Sequence, residues 1–404
     1  MRLQVLAMIL IGGLLSQGCA SMTFRVPVPQ ELVNQAKPVG VPVDIPGVRT
    51  WADAVPENLN EFLQVRHDQI RAERPELLAR GARHTVSYLA ISGGSANGAY
   101  GAGLLVGWTA RGTRPEFEIV TGISTGALTA PFAFLGSAYD AQLKKVFTTI
   151  SSSDVESLNV LAGLFGGTAF ANNHPLAVLI AKYVDRKFLR EIAREFNKGR
   201  RLYIGTTNLD AERPVMWDMG RIASLDNDMA LKLFRRILLA SAAIPGAFPP
   251  VQIKVKTNGD VRDEMHVDGG VTAQVFLFPG QVNATKVDRK LGIRPRRHVY
   301  IIRNGRLGPE WQSVKAKTMK IISRSLSTLI KNQGIGDLYR IYETAKINRI
   351  KYHLSSIPTD FKDTSTELFD RKYMNALFDL GFKIGKSGKA WVSRPPGLRA
   401  KASR

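Results

Sequence analysis

Residues Gly122-Ile123-Ser124-Thr125-Gly126 close the run Phe117-Glu118-Ile119-Val120-Thr121 and open Ala127-Leu128-Thr129-Ala130-Pro131-Phe132-Ala133-Phe134-Leu135. The first run reads as a strand and the last as a helix, with a serine at the corner. Glycines two before and two after Ser124 let the backbone turn sharply, so the hydroxyl stands clear above a helix N-terminus, the layout of a nucleophile elbow. In a chain with 36 glycines the G-x-S-x-G pattern alone is weak; its strand-to-helix setting gives it meaning.

One strand earlier, residues 84–92 are rich in β-branched and aromatic side chains, and Gly93-Gly94-Ser95-Ala96-Asn97-Gly98-Ala99-Tyr100-Gly101 leads into a helix. Such a loop cradles phosphate or aims backbone N–H groups at an oxyanion. The Gly-Lys-Ser/Thr of a nucleotide loop is absent, and no Gly-x-Gly-x-x-Gly fits the start of this one. With a candidate nucleophile one strand on, the oxyanion reading is the economical one.

A serine nucleophile needs a base. The chain has six histidines, His67, His84, His174, His266, His298 and His353. His67 reads as a solvated helix residue, and His298 and His353, which would suit a Ser, acid, His order, read as strand residues without an evident acid partner. Asp268 ends a predicted strand before Gly269-Gly270, which permit close backbone approach. Such a carboxylate can act as base where burial raises its pKa, although Asp-Gly-Gly alone is equally the signature of a turn. His266, two residues earlier and on the same strand face, is the nearest rival.

Taken in order, the glycine loop, the elbow, Ala240-Ser241-Ala242-Ala243-Ile244-Pro245-Gly246-Ala247-Phe248-Pro249-Pro250 and Asp268-Gly269-Gly270 resemble the patatin-like phospholipase family over about residues 85–305. The resemblance implies a three-layer α/β/α fold with a mainly parallel central sheet, and hydrolysis of lipid acyl esters without metal or cofactor. It implies Ser124 as nucleophile, Asp268 as base and the N–H groups around Gly93, Gly94 and Ser95 as oxyanion hole, with Asn97, Gly98, Gly122, Gly126, Gly269 and Gly270 as supporting motif positions. The family loop usually reads Asp-Gly-Gly-Gly-x-Arg/Lys-Gly. Here Ser92 replaces the Asp, Ser95 the third Gly and Asn97 the cation.

At 404 residues and 44% hydrophobic, the chain can bury the core of an α/β domain of about 300 residues with attached segments. Residues 281–404 hold 27 Lys/Arg against 9 Asp/Glu, so +18 of the net +22 lies there. A basic surface favours nucleic acid or an anionic membrane face. Met1-Arg2 followed by apolar residues 3–15 is a secretory signal, which opposes a nucleic-acid role, as does the lack of a recognition motif. Cys19, the only cysteine, follows Ser16-Gln17-Gly18 as in a bacterial lipoprotein signal, although Ser16 stands where Leu is usual. Ala20 carries no retention charge, so an exported lipoprotein of the outer membrane, facing the periplasm, is the expected form.

The expected organisation is a signal peptide at 1–18, a lipid-anchored Pro-rich tether at 19–57 or a segment draped over the domain, a catalytic domain at 58–310 and a basic helical extension at 311–404. Helices are expected over 58–83, 176–196, 229–243, 311–331 and 335–348. Strands are expected at 202–209, 215–219, 251–256 and 264–267, with a last core strand at 297–303. The leading functional expectation is a lipid acyl hydrolase acting on phospholipid or another lipid ester at a membrane surface. The alternative is a catalytically weak patatin-fold protein that holds anionic lipid through its basic third.

Overall fold

The computed structural model describes residues 25–42, 45–79, 84–155, 157–158, 171–278, 282–363, 365 and 369–398. The signal at 1–18 and Cys19 lie outside them.

Near the N-terminus two short strands, β1 (Lys37–Pro38) and β2 (Arg49–Trp51), precede helix α1 (Leu59–Glu73). Then come β3 (Thr85–Ile91), α2 (Gly98–Ala110), β4 (Ile119–Ile123), α3 (Thr125–Leu135) and α4 (Asp140–Thr149). Helices α5 (His174–Tyr183) and α6 (Arg186–Asn197) lead to β5 (Arg201–Asn208), β6 (Arg213–Asp218), α7 (Asp228–Ser241), β7 (Val251–Thr257) and β8 (Asp260–Asp268). The remainder is α8 (Ala284–Leu291), β9 (Arg296–Arg306), α9 (Thr318–Ile347), β10 (Lys351–Ile357) and α10 (Arg371–Ser387).

Strands β5, β4, β3, β9 and β10 pair in that order, all parallel, and form the centre of the sheet. Antiparallel pairings add β6 and β2 to one flank, and β8, β7 and β1 to another. Side chains alternate across β3, as a strand buried on both faces requires. Val86, Tyr88 and Ala90 join the core beneath Leu338 and Ile341 of α9, whereas Leu89 and Ile91 join the core beneath α2. The result is a three-layer α/β/α fold.

The chain runs from β3 to β4 to β5 in one direction, then resumes on the other side of β3 with β9 and β10. This reversal opens a crevice at the carboxyl ends of β3 and β9, where open α/β sheets bind ligands.

Register explains how β8 reaches the elbow. Gly205 on β5 has Ile123 on one edge and Met216 on the other, and Thr206 has Val215 on the Met216 edge. The opposite edge of Thr206 is therefore taken by Asp268. Where β4 stops at Ile123, the end of β8 occupies its place, so Asp268 arrives beside Ser124.

Several expectations need correction. The helix expected over 58–83 stops at Glu73, because Pro75 disfavours helical geometry at Arg74, which sits at φ −145°. The helix expected over 176–196 is two, divided where the Asp185 carboxylate accepts the Phe188 N–H at 2.8 Å and starts a new helix. The two C-terminal helices are one, α9, which runs through Gly334 and Gly336. Arg297–Arg303 is not the last core strand, since β10 follows it into the sheet.

Residues 311–404 are accordingly no mere helical appendage: they supply β10 and α10. Helix α10 lies on α2 through glycines on both. A Cβ at Gly103 would fall 2.0 Å from the Phe378 carbonyl oxygen, and one at Gly381 would fall 2.2 Å from that of Tyr100. The Pro-rich segment is draped rather than free, for β1 and β2 pair with β7 and β6. Its Arg49 holds the buried Glu264 carboxylate through two hydrogen bonds, at 2.6 and 3.1 Å.

Candidate active site

Ser124 sits at φ +55°, ψ −126°, a conformation that costs about 1–3 kcal/mol in a non-glycine residue and persists only where its surroundings impose it. The flanking glycines make the turn possible by close approach. A Cβ on Gly122 would lie 2.4 Å from the Gly126 carbonyl oxygen, and a Cβ on Gly126 would lie 2.4 Å from that of Ile91. Ser124 caps α3, whose N–H groups at Ala127 and Leu128 donate to its carbonyl.

The Ser124 hydroxyl faces the Asp268 carboxylate and acts to lower its pKa. Both residues are buried, each 5% exposed. Burial pushes the Asp268 carboxyl up to about 7, against the opposing effects of the Ser124 hydroxyl and of the hydrogen bond from the Gly270 N–H at 2.7 Å. A carboxylate of that basicity can accept a serine proton near neutral pH.

Residues 240–250 contribute what the sequence left without a function. The Ser241 hydroxyl accepts the Ser124 N–H at 3.0 Å and donates to the Gly205 carbonyl at 2.6 Å. Two residues on, the Ala243 carbonyl accepts the Asp268 N–H at 2.9 Å. One short segment thus ties down both members of the pair. Its order in the family motif was the only signal, since nothing in Ala-Ser-Ala-Ala itself indicates these partners.

The glycine loop reaches the same site. Gly93, Gly94, Ser95, Asn97, Ser124 and Asp268 line one cleft of about 920 Å³. The Gly93 N–H donates to the Gln274 carbonyl at 3.1 Å, so this donor is turned away from the serine. The Asn97 carboxamide oxygen accepts the Tyr373 hydroxyl at 2.8 Å. Gly98 packs on Thr125, with room for no side chain: a Cβ there would lie 2.3 Å from the Thr125 Oγ1. Gly269 and Gly270 form the turn after Asp268.

His266 is committed elsewhere. Its Nδ1 is 3.0 Å from the Thr206 hydroxyl, which accepts the Trp217 indole N–H at 2.8 Å, and its Nε2 is 3.1 Å from Glu264. His298 and His353 stack on each other with ring nitrogens 3.0 Å apart. His298 is in register with Ser87 on β3, four residues before Ile91 and so about 13 Å from the end that bears the glycine loop.

A three-layer α/β/α sheet that sets a strained corner serine against a buried carboxylate defines an α/β protein of the elbow-serine class. Residues 89–278, a little under half of the chain, match the family model of the patatin-like phospholipases. No curated protein sequence matches the chain. Among solved structures the chain is similar to VipD from Legionella pneumophila, at 11% identity and a TM-score of 0.32, over 76% of this chain and 67% of that one.

Proposed function

We propose that the protein is a serine lipid acyl hydrolase working through Ser124 and Asp268. The placing of the Ser124 hydroxyl in one cleft with a buried carboxylate raised to about 7 carries this reading. Asp268 takes the hydroxyl proton as the serine oxygen attacks the ester carbonyl, and the Gly94 and Ser95 N–H groups receive the oxyanion. Gly93, whose N–H is held by Gln274, shapes the loop instead of donating. Collapse of the tetrahedral intermediate expels the alcohol, which leaves with the proton from Asp268; water, activated by the same carboxylate, then releases the acid.

The cleft offers different surroundings on its two sides. Beside Ser124, a small apolar pocket of about 40 Å³ lined by Leu128, Val146, Phe147, Leu176, Phe248 and Met374 offers an apolar wall to the acyl group next to the ester. The wider cleft is bordered by Arg306, Arg324 and Lys331, which outnumber the one carboxylate among them, Glu310, paired with Arg306 at 2.7 Å and Lys331 at 2.8 Å; this border suits an anionic headgroup. In the same part of the chain, Trp311 is 92% exposed, and Ile321, Ile322 and Leu329 of α9 are exposed close in sequence to the exposed Lys315, Lys317 and Lys320. Such a mixture of apolar and cationic side chains fits docking on an anionic bilayer, from which the substrate would be drawn.

The deciding experiment is a lipid-panel hydrolysis assay of the wild type against Ser124→Ala, with a fluorophosphonate probe alongside. The variant should lose both labelling and turnover while unfolding at the wild-type temperature; retained ester hydrolysis would overturn the proposal. We also propose that Cys19 is acylated and anchors the exported chain, motivated by its position after the apolar leader. Cys19→Ser should then leave the membrane fraction or remain unprocessed, and wild-type processing and fractionation would count against the anchor.

A further inference from the structure

Asn97 removes the cation from the glycine loop, yet a cation reaches that loop from another strand. Arg303 on β9 is 5% exposed, and its Nη1 donates to Ser92 Oγ at 3.2 Å, to the Gly93 carbonyl at 3.4 Å and to Gln274 Oε1 at 3.3 Å. Among the described residues no carboxylate pairs directly with it; Asp337 and Glu310 act at longer range, and burial holds its pKa below the usual arginine value. Its Nε is buried without a partner among the described residues. Charges are rarely buried unless paired, so an arginine kept here at such a cost calls for more than a packing role.

Ser92, which stands where the family's Asp is usual, completes the arrangement. Its Oγ accepts the Asn304 N–H at 2.9 Å as well as the Arg303 donor, which fills both lone pairs, and its own proton goes to the Gly93 carbonyl at 2.7 Å. The Gly93 carbonyl is therefore gripped by a hydroxyl and a guanidinium together.

Building on the hydrolase reading above, we propose that Arg303, with Ser92, aims and polarises the Gly93–Gly94 peptide so that the Gly94 N–H serves as the oxyanion donor. In a trans peptide the C=O and N–H point in opposite directions, and no cis bond occurs among the described residues. With the carbonyl drawn toward Arg303, the Gly94 N–H faces away from it, toward the cleft that Gly94 shares with Ser124. The Gln274 carbonyl holds the Gly93 N–H of the preceding peptide, and the Gln274 side chain joins Arg303 to the Gly270 carbonyl beside the base, so both the approach to the Gly93 carbonyl and the guanidinium that grips it are held in place. A positive charge at the carbonyl end lies along the peptide dipole and strengthens the N–H as negative charge develops on the substrate oxygen. Arg303 is thus a positioning residue that acts through Gly94 and does for the loop what a cation within it would otherwise do.

The test is Arg303→Met and Arg303→Lys, read as kcat and KM on a neutral short-chain ester, with affinity for a trifluoromethyl ketone that forms a tetrahedral adduct. Arg303→Met should lower kcat about 10- to 100-fold, somewhat less than loss of a whole donor, and should weaken the ketone in parallel while KM stays within about twofold. Arg303→Lys should restore part of both, a pattern that a purely structural role would not produce. A folded Arg303→Met with wild-type kcat and ketone affinity, or one whose entire loss lies in KM, overturns the proposal. Should Arg303→Met fail to fold, Ser92→Ala decides: it keeps the guanidinium but frees the same carbonyl, and unchanged kcat and ketone affinity refute the proposal. Ser124→Ala separates the two readings. If it is inactive while these variants are unimpaired, only the role of Arg303 fails; if it stays active, the hydrolase reading fails and this inference falls with it.

Discussion

Ser241 holds Ser124 from 117 residues away, accepting its backbone N–H at 3.0 Å while donating to the Gly205 carbonyl at 2.6 Å. A single buried hydroxyl thereby links the corner of β4 to the strand beside it. Ser241→Ala leaves a buried N–H and a buried C=O without their partner, and each such loss costs about 1–3 kcal/mol. The expected outcome is a lowered denaturant midpoint together with turnover reduced about ten- to a hundredfold, because the elbow loses its support next to the reacting atom. Equilibrium unfolding and kcat on the same preparations check both.

The raised pKa of Asp268 has two consequences of definite sign. In the proposed mechanism Asp268 acts as base in its ionised form, so turnover should rise with pH through about 7. An imidazole base would give a similar limb, so its position alone cannot assign it. Ionisation of a carboxyl has a small enthalpy and that of imidazolium a large one, so a midpoint that hardly moves with temperature marks Asp268. Asp268→Asn should cost about 10²–10⁴ in turnover, whereas His266→Ala should keep most activity per folded molecule, since both its ring nitrogens face Thr206 and Glu264.

Stability should follow the same carboxyl. Its folded pKa, about 7, lies above the ordinary 3.8, so the contribution is fully present below about 3.8 and is lost as pH rises through 7. At about 1.4 kcal/mol per pKa unit the change is on the order of a few kcal/mol. The neutral Asp268→Asn should therefore gain on the wild type in thermal midpoint between pH 4 and pH 8. Parallel midpoints across that range would show that the carboxyl is not so perturbed.

Membrane docking through the start of α9 predicts that a soluble form lacking residues 1–24 binds vesicles rich in phosphatidylglycerol, and that binding falls steeply with salt. Each cation near such a surface is worth about 1 kcal/mol, so removing Lys315, Lys317 and Lys320 together should weaken binding by about two orders of magnitude. Trp311→Ala should weaken it without changing the salt slope, because the loss is apolar. Equal binding to neutral vesicles would argue against this surface. Co-sedimentation over a salt series measures all three.

The glycine contact between α2 and α10 predicts a sharp difference between two Gly→Ala changes. At Gly381 the added methyl would meet the Tyr100 carbonyl oxygen at 2.2 Å and should cost about 1–3 kcal/mol or more. At Gly336, exposed on α9 with nothing within 4 Å of an added Cβ, the same change should be neutral or stabilising by up to about 1 kcal/mol. Denaturant midpoints of the two variants, with the wild type, decide it.

The parts of this fold legible in the sequence are those encoded locally. The elbow could be read because its glycines lie two residues from Ser124, and β3 because its buried residues are consecutive. Asp268 could be read only in combination, since Asp-Gly-Gly by itself describes a turn. Ser241, Gln274 and Arg303 could not be given roles at all: each acts through partners on other strands, and one strand's register does not reveal what abuts its end. The boundary at Asp185 was hidden because apolar periodicity continues across it, while the new helix is announced only by a cap. Strand β10 escaped notice for a related reason. Lys351-Tyr352-His353-Leu354-Ser355-Ser356-Ile357 is half polar, and its place in the sheet comes from β9.

Tyr373 and Asn97 meet across 276 residues of chain. The contact brings the last long helix of the protein against the loop that opens its first half, and β10, the final strand, is likewise among the last parts synthesised. A polypeptide emerging from its N-terminus therefore carries the corner serine long before it has the helix that packs behind the glycine loop. Contacts this distant form late and slowly. The order of synthesis therefore places the corner serine well ahead of the helix that completes the surroundings of the glycine loop.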